Sequence, residues 1–182
     1  MSSDRILEAR ELRAGQTVLW KGVPHLVLDH SFNKTAMRGG LIKCKLKNLY
    51  TKAIITEELS NQRLERAILS KREAIFTHKE GQNLKFCDSE TYEEYSLLSS
   101  DYAQLSSFLE EGCSLQLVWY EENLIDFILP EKMKLTIEEL IPVNSEVQKA
   151  IFKTGFECLV PLFCKVGESV WISTANGKYH SK

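Results

Sequence analysis

At 182 residues the chain is long enough for one domain or for two or three small ones. Its apolar content is ordinary, and no apolar run approaches the length of a membrane-spanning helix. The formal net charge of −2 hides a split: residues 1–67 carry twelve Lys/Arg against seven Asp/Glu, whereas residues 68–182 carry eleven against eighteen. A basic first third on an acidic remainder points to one end that faces a polyanion.

The N-terminal Met1-Ser2-Ser3-Asp4-Arg5 lacks the apolar core of a signal peptide, so the expected location is cytoplasmic. Thr17-Val18-Leu19-Trp20, a Lys21-Gly22 turn and His25-Leu26-Val27-Leu28 read as a hairpin. A second, basic hairpin follows, with no acid between Phe32 and Thr51. In it Ile42, Cys44 and Leu46 alternate with Lys43, Lys45 and Lys47, which places three ammonium groups on one sheet face. Gly39 and Gly40 permit the positive φ of a tight turn and hold Met37 and Arg38 at the tip. Lys34, Lys43, Lys45 and Lys47 are candidates for phosphate contacts. A lysine-studded strand is equally a way to blunt an exposed sheet edge. Ala53-Ile54-Ile55-Thr56 is a further strand, and the charged residues 61–67 read as a join to a second unit.

That unit holds strands at Glu73-Ala74-Ile75-Phe76-Thr77, at Leu84-Lys85-Phe86-Cys87-Asp88 and from Tyr92 to Leu97. A helix is predicted between Asp101 as N-cap and Gly112 as stop, with Tyr102, Leu105, Phe108 and Leu109 on one face. Strands from Ser114 to Tyr120 and from Leu124 to Leu129 lead to Pro130. The third unit has strands at Lys134-Leu135-Thr136-Ile137-Glu138, Phe156-Glu157-Cys158-Leu159-Val160 and Ser169-Val170-Trp171-Ile172-Ser173, then an Asn176-Gly177 hairpin turn. Many short strands with tight turns predict a mainly β protein of three small barrels, over residues 1–67, 68–130 and 131–182. Cys44, Cys87, Cys113, Cys158 and Cys164 are an odd number without Cys-x-x-Cys spacing, and His25, His30, His78 and His180 show no ligand spacing. Neither a metal nor a cofactor is expected, and no nucleophile–base set or phosphate loop marks an enzyme.

Four segments carry a family resemblance. They are Gly155-Phe156-Glu157-Cys158-Leu159-Val160-Pro161-Leu162-Phe163-Cys164-Lys165-Val166-Gly167-Glu168, Thr174-Ala175-Asn176-Gly177-Lys178-Tyr179, Phe86-Cys87-Asp88-Ser89-Glu90-Thr91-Tyr92, and Lys45-Leu46-Lys47-Asn48-Leu49 followed by Thr51. In this order and at these distances the chain resembles bacterial elongation factor P from end to end. The resemblance implies an L-shaped, non-catalytic factor with an N-terminal KOW/SH3-like barrel and two OB-fold barrels. It implies binding to the 70S ribosome between the P and E sites, where the family relieves stalling at consecutive prolines by positioning peptidyl-tRNA. The expected partners are the ribosome and P-site peptidyl-tRNA, with no membrane, and the expected state is a monomer.

The loop departs from the family's usual Lys-Pro-Gly-Lys-Gly or Lys-Ser-Gly-Arg-Asn. Counting back from Lys45 without gaps puts Met37 at the tip, whereas a loop one residue longer puts Arg38 there. Met37-Arg38-Gly39 is similar to the arginine-tipped branch of the family, which makes Arg38 the favoured contact and the candidate for modification by an arginine-modifying enzyme. The RNA-binding set is thus Lys34, Met37, Arg38, Gly39, Gly40, Lys43, Lys45 and Lys47. Between Ile141 and Lys149 the chain is shorter than the family pattern, which bears on codon-side contact. The alternative function is that of a divergent paralogue that binds RNA or tRNA without rescuing proline stalls.

Overall fold

The computed structural model describes residues 5–33 and 40–182. Lys34, Met37, Arg38 and Gly39 therefore lie outside the described residues. Among the described residues sixteen strands run in chain order: β1 Ile6–Glu8, β2 Thr17–Trp20, β3 Val23–Asn33, β4 Leu41–Asn48, β5 Ile54–Glu58, β6 Arg63–Arg66, β7 Leu69–Glu80, β8 Asn83–Asp88, β9 Glu94–Leu98, β10 Ser114–Tyr120, β11 Asn123–Ile128, β12 Lys132–Pro142, β13 Val147–Phe152, β14 Glu157–Pro161, β15 Ser169–Ser173 and β16 Tyr179–Ser181. They form one six-stranded sheet, ordered β1-β6-β2-β3-β4-β5, and two five-stranded sheets, ordered β11-β10-β7-β8-β9 and β14-β13-β12-β15-β16. Among the described residues no helix is long and apolar enough to cross a membrane.

The chain divides into two compact units, one reaching to Ser70 and including Val118–Asp126, the other holding Lys71–Leu117 and Phe127–Lys182. In the first unit, Lys21 and Gly22 both take positive φ (53° and 77°), the pair of left-handed residues that a two-residue hairpin requires. Leu7, Leu12, Val18, Val27, Ile42, Cys44, Leu46, Leu59 and Leu64 form its core. A smaller cluster joins Leu49 to Val118 and Ile125, and Lys52 Nζ donates to the carbonyls of Leu49 and Ile125. The join expected at residues 61–67 is instead partly strand β6, which pairs with both β1 and β2. Only Leu64 of its four residues faces the core, so three charged side chains on the solvent side masked the strand.

In the second unit Phe76, Phe86, Phe127 and Tyr102 make a chain of ring contacts, with centroids 5.8, 5.5 and 4.6 Å apart. The predicted helix from Asp101 to Gly112 is not formed. Two 3-10 turns, Ser99–Tyr102 and Ser106–Phe108, take its place, without side-chain capping bonds. Serine hydroxyls compete with helical backbone bonding: Ser106 Oγ donates to Ala103 O at 3.2 Å and Ser107 Oγ to Gln104 O at 3.1 Å. A segment this short gains too little from propagation to offset that competition. Its apolar residues are still used. Phe108 enters the core formed by Met133, Leu135, Ile137, Ala150, Phe152, Val160, Cys164, Val170 and Ile172, and Glu110 accepts from Thr136 N and Oγ1 at 2.9 and 2.7 Å.

The turn after β8 is organised by Asp88, which is 1 % exposed and accepts from the backbone N–H groups of Glu90 and Thr91 at 2.8 and 3.0 Å. Those bonds, Thr91 first, hold its carboxyl below the usual aspartate range. A depressed folded value stabilises the protein above the unfolded value of about 3.9 and loses that stabilisation as pH falls through the folded one. Asp88→Asn keeps an acceptor oxygen but loses the charge, and should cost about 1 kcal/mol at pH 7. Urea midpoints of the two proteins should draw together as pH drops below about 4. A gap that stays constant with pH would contradict this account.

β12 and β13 form a hairpin paired out to Pro142↔Gln148. Residues 143–146 close it, with Asn144 Oδ1 accepting from Glu146 N and Val147 N at 2.8 and 2.9 Å. The segment read from sequence as a shortened loop is thus a self-bonded tight turn on a strand pair.

Candidate nucleic-acid interface

The expected basic hairpin is β3 with β4, in register from His25↔Asn48 to Asn33↔Leu41, with one bulge between Val27 and Asp29. Alternation along β4 is as predicted: Ile42, Cys44 and Leu46 are buried, Lys43 and Lys45 are exposed and Lys47 is half-buried. Burying Leu46 alone contributes roughly 1.5–3 kcal/mol, so a slip of one residue that turned the lysines inward is strongly disfavoured. Edge protection does not account for these lysines, because β4 is paired on both sides, to β3 and to β5.

Two acids oppose the lysines across the sheet. Lys43 stands between Ser31 and Glu58, Lys45 between Asp29 and Thr56, and Lys47 between Leu26 and Ile54. Residues 32–51 are free of acids, but the β3 arm of the stem carries Asp29 and the neighbouring β5 carries Glu58. Even so, among the described residues none of the three ammonium groups lies within ion-pairing distance of a carboxylate. Glu58 is engaged by the Ser60 hydroxyl at 3.3 Å and Asp29 by the His30 N–H at 2.8 Å. Lys43 and Lys45 therefore present charge to solvent at the stem of the hairpin.

Gly40 also meets a steric demand from its neighbour. A Cβ there would lie 2.2 Å from Cε2 and 2.3 Å from Cζ of Phe32, so the ring rests where a side chain would stand. The structure brings together Gly40, Lys43, Lys45 and Lys47 of the predicted set. Sequence reasoning missed Arg10 and Arg13, which lie with Asp29, His30 and Phe32 around one cleft beside the hairpin. Their basic character was visible in the charge split, but their proximity to Phe32 was not.

Elsewhere the five cysteines are free thiols. Burial pushes Cys113 and Cys158 up to about 11, so both are protonated at neutral pH. Among the described residues no group of three or more His, Cys, Asp or Glu could hold a metal ion.

Three family models match in succession: the elongation factor P KOW-like domain over residues 8–62, the elongation factor P OB domain over 69–127, and the elongation factor P C-terminal domain over 142–182. The chain is 39 % identical to elongation factor P of Ureaplasma parvum serovar 3 over 180 residues, which is 96 % of each chain. It is 36 % identical to the factor of Malacoplasma penetrans, again over 96 % of each, and 36 % identical to that of Mycoplasmoides gallisepticum over 97 % of each. Among solved structures it resembles eukaryotic translation initiation factor 5A from Methanococcus jannaschii, with a TM-score of 0.52 and 19 % identity, over 68 % of this chain and 94 % of that one. That likeness concerns the fold. With near full-length identity of this order and three matched domains, the chain belongs to the bacterial elongation factor P family of translation factors.

Proposed function

We propose that this protein binds the ribosome between the P and E sites and promotes peptide-bond formation at consecutive prolines by positioning the peptidyl-tRNA end. The observation that carries this reading is the β3–β4 stem, where Lys43 and Lys45 face solvent without ion pairs among the described residues, on a strand that is not an edge. The stem leads to residues 34–39, and these include Lys34 and Arg38. Lysines on such a stem screen phosphates and release counterions, and this gives affinity without sequence preference. Arg38 at the tip would then contact the tRNA end. Proline has a fixed φ and reacts poorly, so holding the reacting groups in line lowers the barrier without acid–base chemistry from the factor. The test is reconstituted translation of a triproline reporter: added protein should restore full-length product, and unchanged stalling would sink the proposal.

A second reading, a paralogue that binds tRNA without rescue, draws on the β12–β13 turn. With only residues 143–146 between paired strands and Asn144 bonded inward, little backbone is free to reach an mRNA codon. Shortening such a connection costs little stability. Changing the E-site codon under a fixed P-site tRNA should therefore leave ribosome affinity within about two-fold, well under 1 kcal/mol. A clear codon dependence would show that this turn still reads mRNA.

A further inference from the structure

Beside the hairpin stem lies a cleft of about 550 Å³ lined by Arg10, Arg13, Ala14, Asp29, His30 and Phe32, a volume in the range of small-ligand sites. Arg13 is fixed in it. Its Nη1 donates to the carbonyls of Arg10 and Leu12 at 3.0 and 2.7 Å. A guanidinium has five N–H donors, so three remain, and among the described residues they have no partner and no carboxylate within 4.0 Å. Arg10 is different, since Glu8 Oε2 lies 2.8 Å from its Nη2. Asp29 is turned to the His30 N–H and stands across the sheet from Lys45. His30 Nε2 is bonded to Ala9 O at 3.2 Å, which ties β3 to the arginine-bearing segment.

Phe32 supplies the other half. It is 54 % exposed, yet its ring lies directly over the bare backbone of Gly40. One part of the ring is thus supported and the rest is open to solvent. A supported aromatic face next to an uncommitted guanidinium matches the two parts of a nucleotide, which are a planar base and a phosphate.

Resting on the reading that the first domain faces RNA, we infer that this cleft cradles one unpaired nucleotide of an RNA strand. The base stacks on Phe32 and the phosphate is held by the free donors of Arg13. Gly40 is a positioning residue for the ring. An exposed loop base is recognised in this way, whereas a base within a duplex is stacked on its neighbours and unavailable.

The test uses the full chain with a fluorescently labelled single-stranded oligoribonucleotide and its duplex, followed by anisotropy across a salt series. Wild type should prefer the single strand. Phe32→Leu, which keeps apolar bulk without a π-face, should weaken single-strand binding roughly five-fold or more with the salt slope unchanged. Gly40→Ala should reproduce that loss, because its methyl displaces the ring. Arg13→Gln should lower the salt slope by about 0.7, whereas Arg13→Lys should keep it. Thermal midpoints of all variants separate these effects from misfolding. The inference is overturned if Phe32→Leu binds as well as wild type, if wild type does not bind or prefers the duplex, or if polyglutamate displaces the RNA at lower concentration than RNA itself. Ribosome pelleting run alongside distinguishes the two readings. Wild type that pellets with ribosomes while Phe32→Leu keeps full RNA affinity defeats this inference alone, whereas failure to pellet defeats the proposed function.

Discussion

Arg38→Ala should abolish relief of stalling on a triproline reporter while leaving the fold intact. The described strand ends, Asn33 and Leu41, are paired in register, so whatever residues 34–39 contact is carried on a paired stem. The sequence puts Arg38 beside two glycines in an expected turn, and substitution of a turn residue should change stability by no more than about half a kcal/mol. The loss would therefore appear in rescue and not in the thermal midpoint. Met37→Ala should have a smaller effect, because a thioether offers no charge to a phosphate or a terminal ribose. If Met37→Ala is the inactive variant and Arg38→Ala is active, the tip belongs to Met37 and the loop is one residue shorter than proposed.

Phe108→Ala should be the most destabilising change in the 3-10 segment. Phe108 is 6 % exposed, and its ring centroid lies 4.6 Å from that of Phe156, which is in turn 6.1 Å from Phe152. Truncating a buried phenylalanine costs about 3–5 kcal/mol in lost transfer energy and residual cavity, which lowers the midpoint by on the order of 10 °C in a chain of this size. Leu105→Ala is the natural comparison. It shares the apolar face that a helix would have had, yet Leu105 is 36 % exposed, so its loss should stay under about 1 kcal/mol. Equal costs at the two positions, measured by urea unfolding, would mean that the segment buries a continuous helical face after all.

The helix predicted from cap residues and apolar spacing is not formed, because neither signal weighs the serines between them. Tyr102, Phe108 and Leu109 are buried as the spacing suggests, but Ser106 and Ser107 bond back to the backbone and break the run into turns. Strand β4 was legible because it is half-buried and its alternation is undiluted. Strand β6 was not, since one leucine among arginines and a glutamate carries no visible period. Strand β13 was not read: its first two residues fell in the supposed loop, and its half-buried positions blur the alternation. At the candidate interface the lysines could be read directly. The acids that face them, Asp29 and Glu58, come from neighbouring strands and depend on register. The cleft joins Arg13 to Phe32 across separate segments of the chain, and a linear pattern holds no record of that pairing.

The central claim is that a basic first domain delivers this protein to the ribosome. Pelleting with 70S ribosomes that carry a P-site tRNA, across a salt series, tests it most directly. Binding should be evident at low salt and should fall steadily as salt rises, since each phosphate contact by a lysine or arginine releases counterions. Lys43→Ala with Lys45→Ala should make that fall shallower. Absence of ribosome binding even at low salt, or binding indifferent to salt, would contradict the account.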